Sequence, residues 1–291
     1  MAETTDTTIT TQKKVRNSNI ELFRIFLMLM IVAHHYVVNS GITLLYDYNH
    51  ISFNQVFLWL WGWGGKVGIN CFLLITGFFM CQQQITLKKF LKLYLEVKFY
   101  KILIFAIFCL SGYEAFTSIG LFKAVFNIAY GMGNGFVATF VGLFLLIPFI
   151  NKMLSAITRR EHLALVAVLT GLYTVFGTFF GNNIHENLGW FVTVYVIGAF
   201  LRLYPHQCFA DRRMMATVSA SCLLLSWASI VIIGYFFPRG SGAAPIYYFV
   251  NDSHRILAIV CAVSFFLLFN SLKVKQSSII TPSPRARLAS C

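Results

Sequence analysis

Residues Ile20–Val38, IELFRIFLMLMIVAHHYVV, form an apolar run long enough to cross a bilayer, yet the run carries Glu21, Arg24, His34 and His35. A bilayer core takes about 20 apolar residues as helix, and ionisable groups at that depth mark functional sites by default. Arg24 and His35 are 11 residues apart, close to three helical turns. Both therefore project from one face, roughly 16 Å apart along the axis at 1.5 Å per residue. Desolvating the arginine costs on the order of 2.5–3.5 kcal/mol even on the mildest insertion scale. The stripe is expected to face a bundle interior or a wet cavity, not lipid.

The rest of the chain agrees, with 58% hydrophobic residues, 11% charged residues and a mean hydropathy of +0.72. These values lie far outside the range of soluble domains. The expected fold is all-α, a polytopic transmembrane helical bundle of about eight spans, which 291 residues accommodate with little left over. Residues 1–19 read as a cytoplasmic tail, 20–275 as one membrane domain and 276–291 as a polar C-terminal tail. A net charge of +13 would suit nucleic acid, but the Lys and Arg sit in short loops between apolar runs, where membrane orientation explains them. No nucleic-acid partner is expected. The seven cysteines show neither paired nor metal-ligand spacing, so no disulfide framework or metal site follows.

In chain order, the first span leads to a loop holding Asp47 and His50, and then to Phe53–Trp63, whose Trp59, Trp61 and Trp63 suit an outer interface. A second span runs from Val67 to about Gln84, with Asn70, Thr76 and Gly77 allowing close helix contact. Gln82–Lys101 reads as a basic cytoplasmic loop before a third span at about 102–118. Ile119–Asn134 reads as an interfacial or re-entrant segment. A fourth span, about 136–150, is expected to end at Pro148 and Asn151, and four more follow at about 163–180, 188–204, 214–236 and 249–272. Of the 23 Lys and Arg, 18 fall on the side of the N-terminal tail, four (Lys66, Lys123, Arg239, Arg255) on the other, and Arg24 within a span. That asymmetry places both termini in the cytoplasm of a multi-pass plasma-membrane protein. Polar groups at span ends, namely Asn70, Trp190, Tyr195, Asn251, Asp252 and His254, read as structural.

A histidine in a low-dielectric pocket stays neutral and serves as a base near neutral pH, which makes His35 the first catalytic candidate. The guanidinium of Arg24 suits a phosphate or carboxylate arriving from the cytoplasmic side, with Glu21 holding it in place. A charged head at one end and a base three turns deeper fit a long ligand of the shape of coenzyme A. A transporter using Arg24 as anion site and His35 as proton relay is the competing class, although no two-halves repeat is visible. A third alternative leaves an Arg–Glu pair and a His–His contact that only tie helices together.

The stretch also resembles the N-terminal signature of the acyltransferase family 3 integral membrane proteins, which O-acylate sugars and other surface molecules. Arg24 and His35 match its R-x10-H motif. VGINCFLLITGFFM (Val67–Met80) is similar to the family's second span, with Thr76 in place of the usual serine. TLKKFLKLYL (Thr86–Leu95) sits where many members carry R-x-x-R, and Lys89 and Lys92 keep the spacing but not the residue. VGLFLLIPFINKML (Val141–Leu154) and NLGWFVTVYVIGAFLRLY (Asn187–Tyr204) are similar to later spans. The resemblance implies transfer of an acetyl or other acyl group from acyl-CoA, a co-substrate with no bound cofactor. The acceptor would be a hydroxyl of a surface polysaccharide, glycan or lipid-linked glycan. His35 would deprotonate the hydroxyl or carry the acyl group, Arg24 would position the donor, and His34 would orient its neighbour. Lys88, Lys89 and Lys92 would draw donor phosphates, unless they are only positive-inside residues.

Family bundles generally have about ten spans. After KVKQSSII (Lys273–Ile280) the character changes to TPSPRARLASC. The expectation is therefore a chain truncated or frame-shifted at Thr281, poorly stable and with little or no activity.

Overall fold

The computed structural model describes residues 18–130, 135–180, 187–237 and 246–272. It is an all-α polytopic bundle, and the described residues hold no strand. In chain order the helices are α1 (Ser18–Asn39), α2 (Phe53–Trp61), α3 (Gly65–Met80), α4 (Leu87–Leu110), α5 (Ser118–Tyr130) and α6 (Phe136–Ala156). They continue with α7 (Arg159–Thr170), which passes through a π turn, Gly171–Val175, into α8 (Phe176–Phe179), then α9 (Asn187–Leu203), α10 (Arg212–Phe236) and α11 (Ile256–Ser271). By length and composition α1, α2 with α3, α6, α7 with α8, and α10 can each cross a membrane, while α9 and α11 are shorter and equally apolar. Among the described residues that gives five crossings and two shorter apolar helices against the eight expected, and α4, with five lysines and Glu96 along it, is not one of them.

Short polar side chains close the first turns. Ser52 accepts from the Gln55 amide at 3.2 Å, Thr86 from Lys89, and Asp211 from Arg213 and Met214. Thr158 and Glu161 form a reciprocal capping box at the start of α7. Each supplies an acceptor to amides that have no partner inside their own helix.

Several boundaries differ from expectation, among them the third span, expected at about 102–118, whose helix ends at Leu110. The stretch taken as a basic loop up to Lys101 is helical from Leu87, because Thr86 caps it and no breaker follows before Leu110; Gly112, at φ +75, turns the chain after it. The lysines therefore lie along a helix, and the buried Lys98 donates to the Val125 carbonyl of α5. Second, α6 runs through Pro148 to Ala156, as membrane helices tolerate proline when neighbours re-satisfy the backbone. Third, the last helix begins at Ile256, not 249, after turns at 246–255. The expectations for residues 1–17, the Lys273–Ile280 string and the change at Thr281 lie outside the described residues.

At the bundle's centre stands α3, packed on α9, α11 and α1. A Cβ on Gly198 would sit 2.6 Å from the Leu74 carbonyl oxygen, and one on Gly77 would overlap the Tyr195 carbonyl. Only glycine lets these two backbones approach so closely, the usual device for gaining van der Waals contact between membrane helices. At one end of the bundle Asn19 donates to the carbonyls of Phe269 and Leu272, and Arg202 to Gln82. At the other end Tyr46, Tyr48 and Tyr235 pack around the fully buried Trp59, whose carbonyl accepts from Tyr247. Burial there pushes the Tyr46 phenol up to about 12.

Candidate active site

Three stripes divide α1. Phe23, Leu27 and Val37 are buried, whereas Ile25, Leu29, Val32 and Tyr36 are exposed on the far face. Between them run Arg24, Met28, Ile31 and His35, spaced so that one helical face carries all four. Met28, Ile31 and His35 line a cavity of about 410 Å³, together with Phe72 and Thr76 of α3 and Phe136 and Phe140 of α6. The volume lies in the lower part of the range for small-molecule pockets. Thr76 spends its hydroxyl on the Phe72 carbonyl of its own helix, at 2.8 Å. His35 is thus the one titratable group among the cavity's described lining residues. One of its ring nitrogens, Nδ1, lies 3.0 Å from the Asn39 amide nitrogen one turn later.

Arg24 occupies the same face nearer the start of α1, but it does not line this cavity. Its side chain keeps 39% of its surface exposed, and Nη1 donates to Glu21 Oε1 at 2.9 Å, forming the expected ion pair. The expectation that desolvation forces the whole stripe inward is met at neither end: His35 lines the cavity yet is exposed, and Arg24 is half-buried. A long side chain one and a half turns from the helix end, beside a carboxylate three residues away, meets its solvation needs without burial.

His34 faces elsewhere. Its Nδ1–H donates to the Gly62 carbonyl at 2.6 Å, and its ring lies against Gly65, where no Cβ would fit. The His34 and His35 rings meet edge to face, with centroids 5.7 Å apart. His34 thus ties α1 to the α2–α3 junction. Among the three lysines, Lys89 donates to the Gln84 carbonyl and to Gln83, and Lys92 pairs with Glu96 at 3.8 Å, both on exposed surface. They open α4 just beyond the end of α3, at the end of the bundle where α1 begins.

The other polar groups form ties between helices. The Trp190 indole donates to Asn70, which donates on to the Ser253 carbonyl, while Tyr195 donates to Asn151, which donates to the Met80 carbonyl. Two residues escaped the sequence reading. Arg255, taken as an external loop charge, is buried and donates to the Gly177 carbonyl at 2.6 Å with its guanidinium over the Tyr248 ring. It caps the last carbonyls of the α7–α8 helix, where a cation is favoured. Asn39 had a signal, its position four residues after His35, which places it on the same helical face.

Across this whole arrangement, the family model for acyltransferase family 3, described as an acyltransferase domain, matches residues 17–288. The chain belongs to that family. No curated protein and no solved structure gives a match. Membership makes this multi-pass bundle a membrane acyltransferase. For an acyltransferase of family 3, the match spans both the His35 cavity and the Arg24–Glu21 pair. It also continues beyond Thr281.

Proposed function

We propose that this acyltransferase moves an acetyl or other acyl group from acyl-CoA to a hydroxyl of a cell-surface polysaccharide or lipid-linked glycan. The observation that carries the reading is His35, alone as a titratable group in an apolar cavity, on the same helical face as the Arg24 cation. In this reading His35 takes the proton of the acceptor hydroxyl as its oxygen attacks the thioester carbonyl. The tetrahedral intermediate then expels the coenzyme A thiolate, and the imidazolium returns the proton to sulfur. Arg24 holds the anionic part of the donor, released from or shared with Glu21, and Lys88, Lys89 and Lys92 raise the local concentration of donor phosphates at the same end. The chain sits in the plasma membrane with both termini cytoplasmic. The transporter reading has no comparable support, since family membership supplies acyl transfer and not conduction.

The test is to incubate membranes containing the protein with acetyl-CoA radiolabelled in the acetyl group and to isolate the glycan fraction. Label released by mild base as acetate supports O-acylation. Label absent from glycan and lipid-linked glycan, against a parallel membrane lacking the protein, contradicts the reading.

A further inference from the structure

An imidazole acts as a base only through an unprotonated nitrogen, and which nitrogen is free is set by the bond the other one makes. In His35 that other nitrogen is Nδ1, 3.0 Å from the Asn39 side-chain amide. The contact lies within one helix, four residues apart, so it needs no alignment of separate elements. The Asn39 amide makes no other hydrogen bond among the described residues. A half-turn about its Cβ–Cγ bond therefore exchanges oxygen and nitrogen without breaking a second contact, and the two atoms are assigned by their network, not seen directly. Among the described residues no carboxylate, lysine or arginine lines the cavity beside His35, and the titratable ring against it is His34, whose own Nδ1–H is committed to Gly62.

We propose that Asn39 is the positioning residue of His35. Its Oδ1 accepts the His35 Nδ1–H, which fixes the ring rotamer and leaves Nε2 unprotonated for the acceptor hydroxyl. This rests on the reading of His35 as base. The neutral amide does for His35 what an acidic partner does in other histidine bases, orienting the ring and selecting its tautomer, but it adds no charge to an apolar cavity. Asn39 touches neither donor nor acceptor in this scheme, so its loss lowers the rate of the chemical step while leaving donor affinity in place.

Nitrogen-15 NMR of the histidine-labelled protein in lipid discs tests the tautomer, with the His35 signals identified by their absence in His35→Ala. The parent is expected to carry its proton on Nδ1, and Asn39→Leu to lose that preference. A parent spectrum with the His35 proton on Nε2 overturns the proposal even in a protein that turns nothing over. In acetyl-CoA thiol release, Asn39→Leu is expected to lower kcat about 10- to 100-fold with KM for acetyl-CoA within twofold. Asn39→Asp, whose oxygen accepts the same proton, is expected to restore most of that loss. Loss of activity in His35→Ala with a parental rate in Asn39→Leu overturns this inference alone. A parental rate in His35→Ala overturns it together with the reading of His35 as base.

Discussion

The His34 ring lies so close over Gly65 that a methyl group at position 65 would fall inside it. The contact sets how α1 meets the start of α3, and His35 is the next residue along. Gly65→Ala is therefore expected to force His34 off its bond to Gly62 and to tilt the end of α1. Overpacking of this kind costs about 1–3 kcal/mol. A lowered midpoint of thermal unfolding in detergent, with a larger fractional loss of activity than of folded protein, is the expected outcome. A parental melting curve would contradict the packing described.

Asn151 joins α6 to both α3 and α9 through the Met80 carbonyl and the buried Tyr195 hydroxyl. Asn151→Leu leaves the buried Tyr195 hydroxyl without its acceptor, a cost of about 1–3 kcal/mol, and removes one of the two donors to the Met80 carbonyl, which keeps the Gln83 amide. Tyr195→Phe removes the hydroxyl and leaves Asn151 its other bond, so it is expected to destabilise less. Thermal unfolding of the two variants and their double mutant checks the order, and equal effects would contradict the shared network.

Phe140 lines the cavity beside His35. Phe140→Trp adds bulk to that space without removing any polar group. The expected result is at least a tenfold loss of acetyl-CoA thiol release from a protein that elutes as the parent does. Unchanged turnover would mean that the reaction does not use this cavity.

The proposed orientation, with both termini cytoplasmic, would put the start of α7 on the cytoplasmic side and the connection around Asn49 outside. In a variant stripped of native cysteines, a membrane-impermeant thiol reagent applied to intact cells is expected to label Asn49→Cys and to spare Arg159→Cys. The reverse pattern would invert the topology.

Much of this architecture follows from hydropathy. The first run, expected at 20–38, is the helix Ser18–Asn39, and the short apolar stretch from about 119 forms the helix α5. The start of α4 is different, because its lysines read as loop while the decisive signal was the Thr86 cap. Lysine stems lie along apolar surface with only the ammonium in water, so a basic stretch is no bar to helix. Arg255 was misplaced for a related reason. A charge count assigns it to a loop, whereas its partners are carbonyls at the end of a helix some 80 residues earlier in the chain, and backbone acceptors leave no trace in side-chain pattern. At the site, one-face spacing brought out Arg24 and His35 and the pairing of Arg24 with Glu21. It could not show that His34 turns to Gly62, since that depends on where α2 meets α3.

Base chemistry at His35 is the central claim, and the thiol released from acetyl-CoA by purified protein in detergent measures it most directly. His35→Ala is expected to release none above the uncatalysed background while remaining monodisperse, and Arg24→Lys to raise KM for acetyl-CoA more than it lowers kcat. Near-parental thiol release by folded His35→Ala would contradict the account.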